Sequence, residues 1–229
     1  MNINYKESFF NSADGKKIKL HEYHPNSKST LSIILIYEIF GKTSHIHNYA
    51  IKLAKEGILV YIPDIFSRLE DEVILPYNKE GFKKGIKLKE DLGWQLPVMD
   101  IVSCASLLRQ QYSVCVMGFC YGGSLSWIAS QKSFIFDKTV CFYGSNIPDF
   151  LIKNINSPSV LHFGEKDKGI PKAAIDKVKE YKSKQEQIIK IFEYKDADHG
   201  FNCEDRNSYH SNSAKLAFTR SLNFIKGIE

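Results

Sequence analysis

The feature that most constrains the fold is an alternation of short apolar runs with segments of helical periodicity, which begins at Leu31. Continuous apolar runs of this length are typical of strands buried on both faces between helices. The predicted strands span residues 31–38, 58–63, 113–119, 138–143, 159–163 and 188–194. The predicted helices span residues 44–56, 96–111, 121–131, 171–184 and 211–226. This alternation predicts right-handed crossovers and a mostly parallel sheet with helices on both faces.

The start of the chain follows a different pattern. The alternating run Ile18–Tyr23 comes after the turn dipeptide Asp14-Gly15, and Phe9-Phe10 precede that turn. Together they predict an antiparallel hairpin at one edge of the sheet. With 229 residues, 43% of them hydrophobic and 25% charged, the chain fits one α/β domain over residues 1–229. Residues 65–93 are the least regular stretch, so we expect a lid or a pocket wall there.

Charge and hydrophobicity argue against nucleic-acid and membrane partners. The net charge is +5, and the one dense basic run is interleaved with acidic residues, which favours a solvated helix face or loop. That run consists of Lys83, Lys84, Lys87 and Lys89, beside Glu80, Glu90 and Asp91. No apolar run reaches the length of a membrane span, and the first residues lack the hydrophobic region of a signal peptide. We therefore expect a cytoplasmic protein.

Cysteine and histidine spacing gives no sign of a disulfide framework or a metal site. The five cysteines form no C-x-x-C pair, so free thiols are expected. His45 and His47 are two residues apart at a predicted helix start, where their rings diverge. We therefore predict no bound metal.

The strongest chemical motif is Gly118-Phe119-Cys120-Tyr121-Gly122-Gly123, where a predicted strand runs into a helix. G-x-C-x-G-G is a nucleophile elbow with sulfur in place of the serine oxygen, and its strained turn needs glycines around the nucleophile. The amide end of the following helix favours a thiolate at Cys120 and lets the Tyr121 amide donate to an oxyanion. Taken alone, the motif could also be a glycine-rich turn with a buried cysteine.

Two acid–base candidates follow later strands. Asp167 lies in Gly164-Glu165-Lys166-Asp167, and His199 lies in Asp198-His199-Gly200-Phe201. The chain order Cys120, Asp167, His199 matches the nucleophile, acid and histidine order of α/β-hydrolases. The three together therefore predict a catalytic triad, although each of the two later residues could singly be an ordinary loop residue.

These motifs, with Tyr37-Glu38-Ile39-Phe40-Gly41 after the first central strand, resemble the dienelactone hydrolase family of α/β-hydrolases. The resemblance extends from about Phe9 to the final helix. It implies a cofactor-free hydrolase for a small-molecule ester or lactone, in particular a dienelactone-type enol lactone. It also implies that Cys120 is the nucleophile, His199 its base and Asp167 the orienting acid. Glu38 would be a carboxylate close to the thiol, with the Ile39 and Tyr121 amides as oxyanion donors.

One position departs from the family pattern. Many members carry an arginine four residues after the catalytic histidine, which binds the substrate carboxylate, whereas this chain has Cys203 there. Arg206 and Arg68 are the candidates to replace it as substrate-binding residues. The departure leaves open a promiscuous carboxylesterase or thioesterase. A non-catalytic binding or redox-sensing protein, with Cys120 oxidised rather than acylated, is the alternative from another class. We expect a monomer or a small homo-oligomer.

Overall fold

The computed structural model describes residues 3–151 and 153–228. Its strands are β1 (Asn4–Asn11), β2 (Lys17–His24), β3 (Leu31–Ile36), β4 (Leu59–Pro63), β5 (Ser113–Phe119), β6 (Lys138–Phe142), β7 (Ser159–Gly164) and β8 (Ile189–Tyr194). Its α-helices are α1 (Ser44–Lys55), α2 (Lys79–Leu92), α3 (Gln95–Leu108), α4 (Tyr121–Lys132), α5 (Lys172–Lys182) and α6 (Ser211–Lys226). Short 3-10 turns lie at Ile65–Arg68 and Ile147–Asp149.

The strands form one eight-stranded sheet in the order β1-β2-β4-β3-β5-β6-β7-β8. The β1–β2 and β2–β4 pairs are antiparallel, and every other pair in this sheet is parallel. This arrangement confirms the prediction of a mostly parallel sheet with an antiparallel hairpin at its edge. Because parallel strands end at the same edge, residues that follow β3, β5, β6, β7 and β8 meet there.

Burial explains why the central strands lack an alternating pattern. Neighbouring side chains of a strand point to opposite faces of the sheet. In β3 both Ile33 and Ile34 are fully buried, and in β5 both Val114 and Cys115 are buried as well. Helices therefore cover both faces, and a continuous apolar run is the sequence that such a strand requires. Among the described residues, no helix has the length and hydrophobicity to cross a membrane.

The segment 65–93 is more regular than the sequence indicates. It contains α2, whose start is capped by the Asn78 side chain accepting from the Gly81 amide, so the expectation of an irregular stretch is wrong. The buried face of α2 includes Gly81, Gly85, Leu88 and Leu92, and the two glycines hide the apolar periodicity. A Cβ at Gly85 would lie 2.5 Å from the Ile39 carbonyl oxygen. Gly85 therefore lets α2 pack closely against the loop that follows β3. In this position α2 forms a wall beside that loop.

Candidate active site

Cys120 occupies the sharp turn between β5 and α4. Its backbone has φ 53° and ψ −113°, a strained conformation for a residue with a side chain. The turn is tight on both sides, because a Cβ at Gly118 would lie 2.1 Å from the Gly122 carbonyl oxygen. A Cβ at Gly122 would lie 2.3 Å from the Ile36 carbonyl oxygen. The glycines are therefore required, and the turn leaves Cys120 partly exposed at the carboxyl edge of the sheet.

His199 connects the elbow to Asp167. Its Nδ1 lies 2.7 Å from Asp167 Oδ2, and the Cys120 sulfur is its other side-chain hydrogen-bond partner. The Asp167 side chain is fully buried, and its Oδ1 accepts from the Gly169 amide at 2.8 Å. Since a carboxylate accepts, Asp167 fixes a proton on Nδ1 and directs Nε2 to the sulfur. The structure thus brings the three predicted triad residues together in the expected order of contact.

Protonation of His199 favours its contact with the Cys120 sulfur. Burial lowers the pKa of the His199 imidazole. Electrostatic interaction with Cys120 and the hydrogen bonds with Asp167 and Cys120 act in the opposite direction, and they raise that pKa to about 10. The ring therefore favours its protonated form near neutral pH. The imidazolium and the amide end of α4 therefore both place positive charge beside the Cys120 sulfur.

Glu38 lies directly after the β3 strand end and is almost fully buried, at 1% exposure. Its Oε1 faces Arg206 Nη1 at 3.4 Å, whereas its Oε2 has no hydrogen-bond partner among the described residues. Arg206 packs on Gly200, where a Cβ would lie 2.4 Å from Nη1. Burial opposes the charge of Arg206, but Glu38, Tyr143 and Cys120 raise the pKa of its guanidinium. The structure therefore places Glu38 and Arg206 as a pair beside the nucleophile.

The two predicted oxyanion donors have free amides. Neither the Ile39 nor the Tyr121 amide donates to another group within residues 3–151 and 153–228. For Tyr121 the reason is its place at the first position of α4, where amides have no intrahelical partner. The close contact of Gly122 with the Ile36 and Tyr37 carbonyls holds the β3 loop against this helix start. Both amides are thus available to a ligand at the carboxyl edge.

Tyr143 is a site residue that the sequence analysis missed. It follows β6, its side chain is fully buried, and its ring centroid lies 5.0 Å from that of His199. Its φ of 37° is strained, and its Oη has no hydrogen-bond partner in the described part of the chain. Burial and then Glu38 hold the pKa of the phenol well above its ordinary value, so it remains a donor. Its place directly after a central strand was the available signal.

Arg68 is not brought to this site, which corrects the expectation that it anchors a substrate. Its guanidinium donates to Asp100 through Nε and Nη2, each at 2.7 Å, and to Asp14 through Nη1 at 2.8 Å. The Asp100 side chain is fully buried and that of Arg68 is 7% exposed. Arg68 thus ties the hairpin turn to α3, and its charge is already compensated.

We expect Arg68→Met to lower the free energy of unfolding by about 3–5 kcal/mol, because a buried Asp100 carboxylate would lose its partner. Chemical denaturation measures this change. Arg109→Met is the matched control, since Arg109 pairs with Asp137 where both side chains are substantially exposed, at 45% and 32%. That control should cost less than about 1 kcal/mol. Equal and small effects of the two substitutions would contradict the structural role of Arg68.

Comparisons with known proteins agree with this geometry. A sequence model of the dienelactone hydrolase family matches residues 20–228. A Synechocystis sp. protein, provisionally named a carboxymethylenebutenolidase, is 29% identical over 203 residues, covering 82% of each chain. The carboxymethylenebutenolidase of Pseudomonas putida is 24% identical over 204 residues, covering 86% of each chain.

Solved structures give the same result. A crystal structure from Klebsiella pneumoniae subsp. pneumoniae, provisionally described as a dienelactone hydrolase, superposes with a TM-score of 0.88 at 25% identity, covering 99% of both chains. An esterase from Thermogutta terrifontis shares the fold at 14% identity, with a TM-score of 0.69 over 98% of this chain and 92% of its own. The family match spans nearly the whole chain, including every residue assembled around Cys120. The chain therefore belongs to the dienelactone hydrolase family and is a carboxylic ester hydrolase with the α/β-hydrolase fold.

Proposed function

We propose that the chain hydrolyses a small-molecule ester or lactone, in particular a dienelactone-type enol lactone, through a Cys120-His199-Asp167 triad. The observation that carries the proposal is the chain of contacts from buried Asp167 through His199 to a cysteine on a strained elbow. Structural cysteines are rarely held in such a turn, next to an imidazole that a carboxylate orients. No cofactor enters the proposed reaction.

The first half of the reaction forms a thioester. The Cys120 thiolate attacks the carbonyl carbon, and the carbonyl electron pair moves to oxygen, where the Ile39 and Tyr121 amides donate to the oxyanion. As the tetrahedral intermediate collapses, the bond from carbon to the leaving oxygen breaks. The protonated His199 gives its Nε2 proton to that oxygen. With a lactone the leaving oxygen stays attached to the acyl group, so ring opening releases no separate alcohol.

The second half of the reaction regenerates the Cys120 thiolate. Neutral His199 takes a proton from water as the water oxygen attacks the thioester carbonyl, and the same amides receive the second oxyanion. Collapse breaks the carbon–sulfur bond and releases the acid and the Cys120 thiolate beside an imidazolium. In this proposal Asp167 keeps the ring oriented throughout, and Glu38 holds Arg206 beside the reacting sulfur.

A broad carboxylesterase or thioesterase is the second candidate. It is favoured by Cys203 at the position where many family members carry a carboxylate-binding arginine, and by the pairing of Arg206 with Glu38. Under either candidate we propose a cytoplasmic protein that is a monomer or a small homo-oligomer.

Two measurements test the proposed chemistry. Turnover on a matched set of anionic lactones, neutral lactones and neutral aryl esters separates the two hydrolase candidates. Acid quenching during turnover of an aryl ester, followed by peptide mass analysis, should find one acyl group on the peptide that contains Cys120. Turnover without acylation of Cys120 would contradict the covalent mechanism. Absence of turnover, together with ready oxidation of Cys120, would favour the redox-sensing alternative.

A further inference from the structure

Three buried polar groups without a hydrogen-bond partner belong to residues that line a single cavity. They are His45 Nε2, Tyr49 Oη and Asn202 Nδ2, and nothing in the part of the chain that the structure describes bonds to any of them. The three residues are only 5%, 6% and 5% exposed. Because an unpaired buried polar group is costly, three of them around one cavity indicate that something else supplies their hydrogen bonds.

The cavity lies behind the nucleophile elbow. Its volume is about 130 Å³, which is room for about four water molecules at ~30 Å³ each. His45 and Tyr49 of α1 pack against the ring of Phe119, the residue before Cys120, with ring centroids 5.3 and 4.8 Å away. Asn202 enters from the other side, in the loop that carries His199. Cys120 and His199 are not among the described residues that line the cavity, so it is separate from the triad.

The unpaired groups carry no charge. Burial raises the pKa of the Tyr49 phenol well above its ordinary value, so the hydroxyl keeps its proton. Burial also lowers the pKa of the His45 imidazole, which is therefore neutral near neutral pH. A charged ligand would lose its hydration against these groups without meeting an opposite charge, and this opposes its binding.

The charged residues that line the cavity balance each other. They are two lysines and two acids, all exposed: Lys52, Lys215, Glu204 and Asp205. The carboxylates already accept from hydroxyl groups, Glu204 from Tyr209 at 3.3 Å and Asp205 from Ser44 at 2.6 Å. Water and salt screen exposed charges of this kind. The mouth of the cavity therefore gives no preference for a net charge on the ligand.

Hydrogen-bonding capacity narrows the ligand further. Asn202 Nδ2 can only donate, whereas Tyr49 Oη can donate or accept, and His45 Nε2 does one or the other according to its tautomer. A carboxylate only accepts and an ammonium group only donates, but a hydroxyl group does both. Neighbouring hydroxyl groups on a short carbon chain can therefore satisfy all three protein groups at once.

We propose that this cavity is a second binding site, which holds a small neutral polyol of about three or four carbon atoms. The inference is independent of the proposed reaction, since no step of that reaction uses His45, Tyr49 or Asn202. Its ligand would bond both to α1, which supports the elbow through Phe119, and to the loop that carries His199. Binding would therefore hold these two segments together.

Glycerol is the probe, and backbone amide chemical shifts of ¹⁵N-labelled protein report its binding. We expect saturable shifts at residues 45–49 and 200–205, with a Kd on the order of 1 mM, because a ligand this small makes few contacts. Tyr49→Phe removes only the hydroxyl group and should weaken binding about tenfold. Asn202→Leu removes the amide donor at similar volume and should weaken binding to a similar extent. The melting temperature of each variant verifies that it is folded.

Tyr112→Phe is the matched control for Tyr49→Phe. Tyr112 directly precedes β5, so it lies at the opposite edge of the sheet from the elbow, and losing its hydroxyl should leave the Kd for glycerol unchanged. Equal affinities in wild type, Tyr49→Phe and Asn202→Leu would place glycerol elsewhere and overturn the assignment. Shifts that grow linearly with glycerol and never saturate would show that water alone fills the cavity, which would overturn it as well.

Lactate tests the chemical class, because it has as many non-hydrogen atoms as glycerol but carries a carboxylate. Tighter binding of lactate than of glycerol at this cavity would show an anion site and contradict a site for neutral polyols. Cys120→Ala separates the cavity from the triad, and it should bind glycerol with the wild-type Kd. Loss of glycerol binding in Cys120→Ala would place the ligand at the nucleophile instead. None of these measurements requires turnover, so their outcome stands even if the chain hydrolyses no ester.

Discussion

Cys120→Ala is expected to lower kcat/KM for ester hydrolysis by about 10⁴-fold or more, because the acyl group loses its covalent acceptor while the other groups of the triad remain. The substitution removes one sulfur from a partly exposed turn, so the melting temperature should change little. Initial rates on an aryl ester, with thermal unfolding measured on the same preparations, check both expectations.

Cys141→Ala is the matched control for this substitution. It removes a sulfur from the buried centre of β6, so it should reduce stability modestly and leave turnover near the wild-type value. The acyl adduct trapped in wild type should persist in Cys141→Ala and be absent from Cys120→Ala. Near-normal turnover in Cys120→Ala would mean that another group is the nucleophile, and the triad mechanism would then be wrong.

The sheet could be predicted from sequence because its strands are covered on both faces. Such strands need continuous apolar runs, and Ile33 and Ile34 show this directly, since both are fully buried although they point to opposite faces. The nucleophile elbow could also be predicted from the sequence. A Cβ at Gly118 or Gly122 would lie less than 2.5 Å from a backbone carbonyl oxygen, so the glycines of the motif reflect a steric requirement of the turn.

Helix α2 could not be predicted in the same way. Its buried face uses Gly81 and Gly85, where backbone carbonyls of Pro76 and Ile39 approach closely. An apolar side chain at either position would be excluded, so the helix lacks the periodic signal that larger residues provide. As a result, α2 was not among the predicted helices, and its basic run was interpreted only as a solvated helix face or loop.

The arginines show a second limit of sequence reasoning. Arg68 and Arg206 both lie in segments that follow strand ends, and that rule places them at the correct edge of the sheet. Which carboxylate each one meets depends on packing between distant segments. Asp100 lies on α3 and Asp14 lies in the hairpin turn, whereas Glu38 lies after β3. Only the three-dimensional structure distinguishes a structural arginine from one beside the nucleophile.

Asp167→Asn is expected to lower kcat by about 10⁴-fold, because it would fix the wrong tautomer of His199. The Gly169 amide donates to Oδ1 of residue 167 at 2.8 Å, so the asparagine would keep its carbonyl oxygen on that side. Its amide nitrogen would then face His199 Nδ1, where Asp167 Oδ2 now lies at 2.7 Å. An amide donor there places the imidazole proton on Nε2, and Nε2 could no longer accept a proton from Cys120 or from water.

Glu165→Gln is the matched control, since Glu165 is an exposed carboxylate in the same loop and is the other acid that could orient the histidine. We expect its kcat to stay within about twofold of wild type, as for most surface substitutions away from a site. The rate of Cys120 alkylation by iodoacetamide as a function of pH gives an independent measurement. Asp167→Asn should slow alkylation near neutral pH, because the carboxylate no longer raises the pKa of His199 beside the sulfur, whereas Glu165→Gln should follow the wild-type profile. If the effects of the two substitutions were reversed, Glu165 would be the orienting acid, and the contact between Asp167 and His199 would not be the one that catalysis uses.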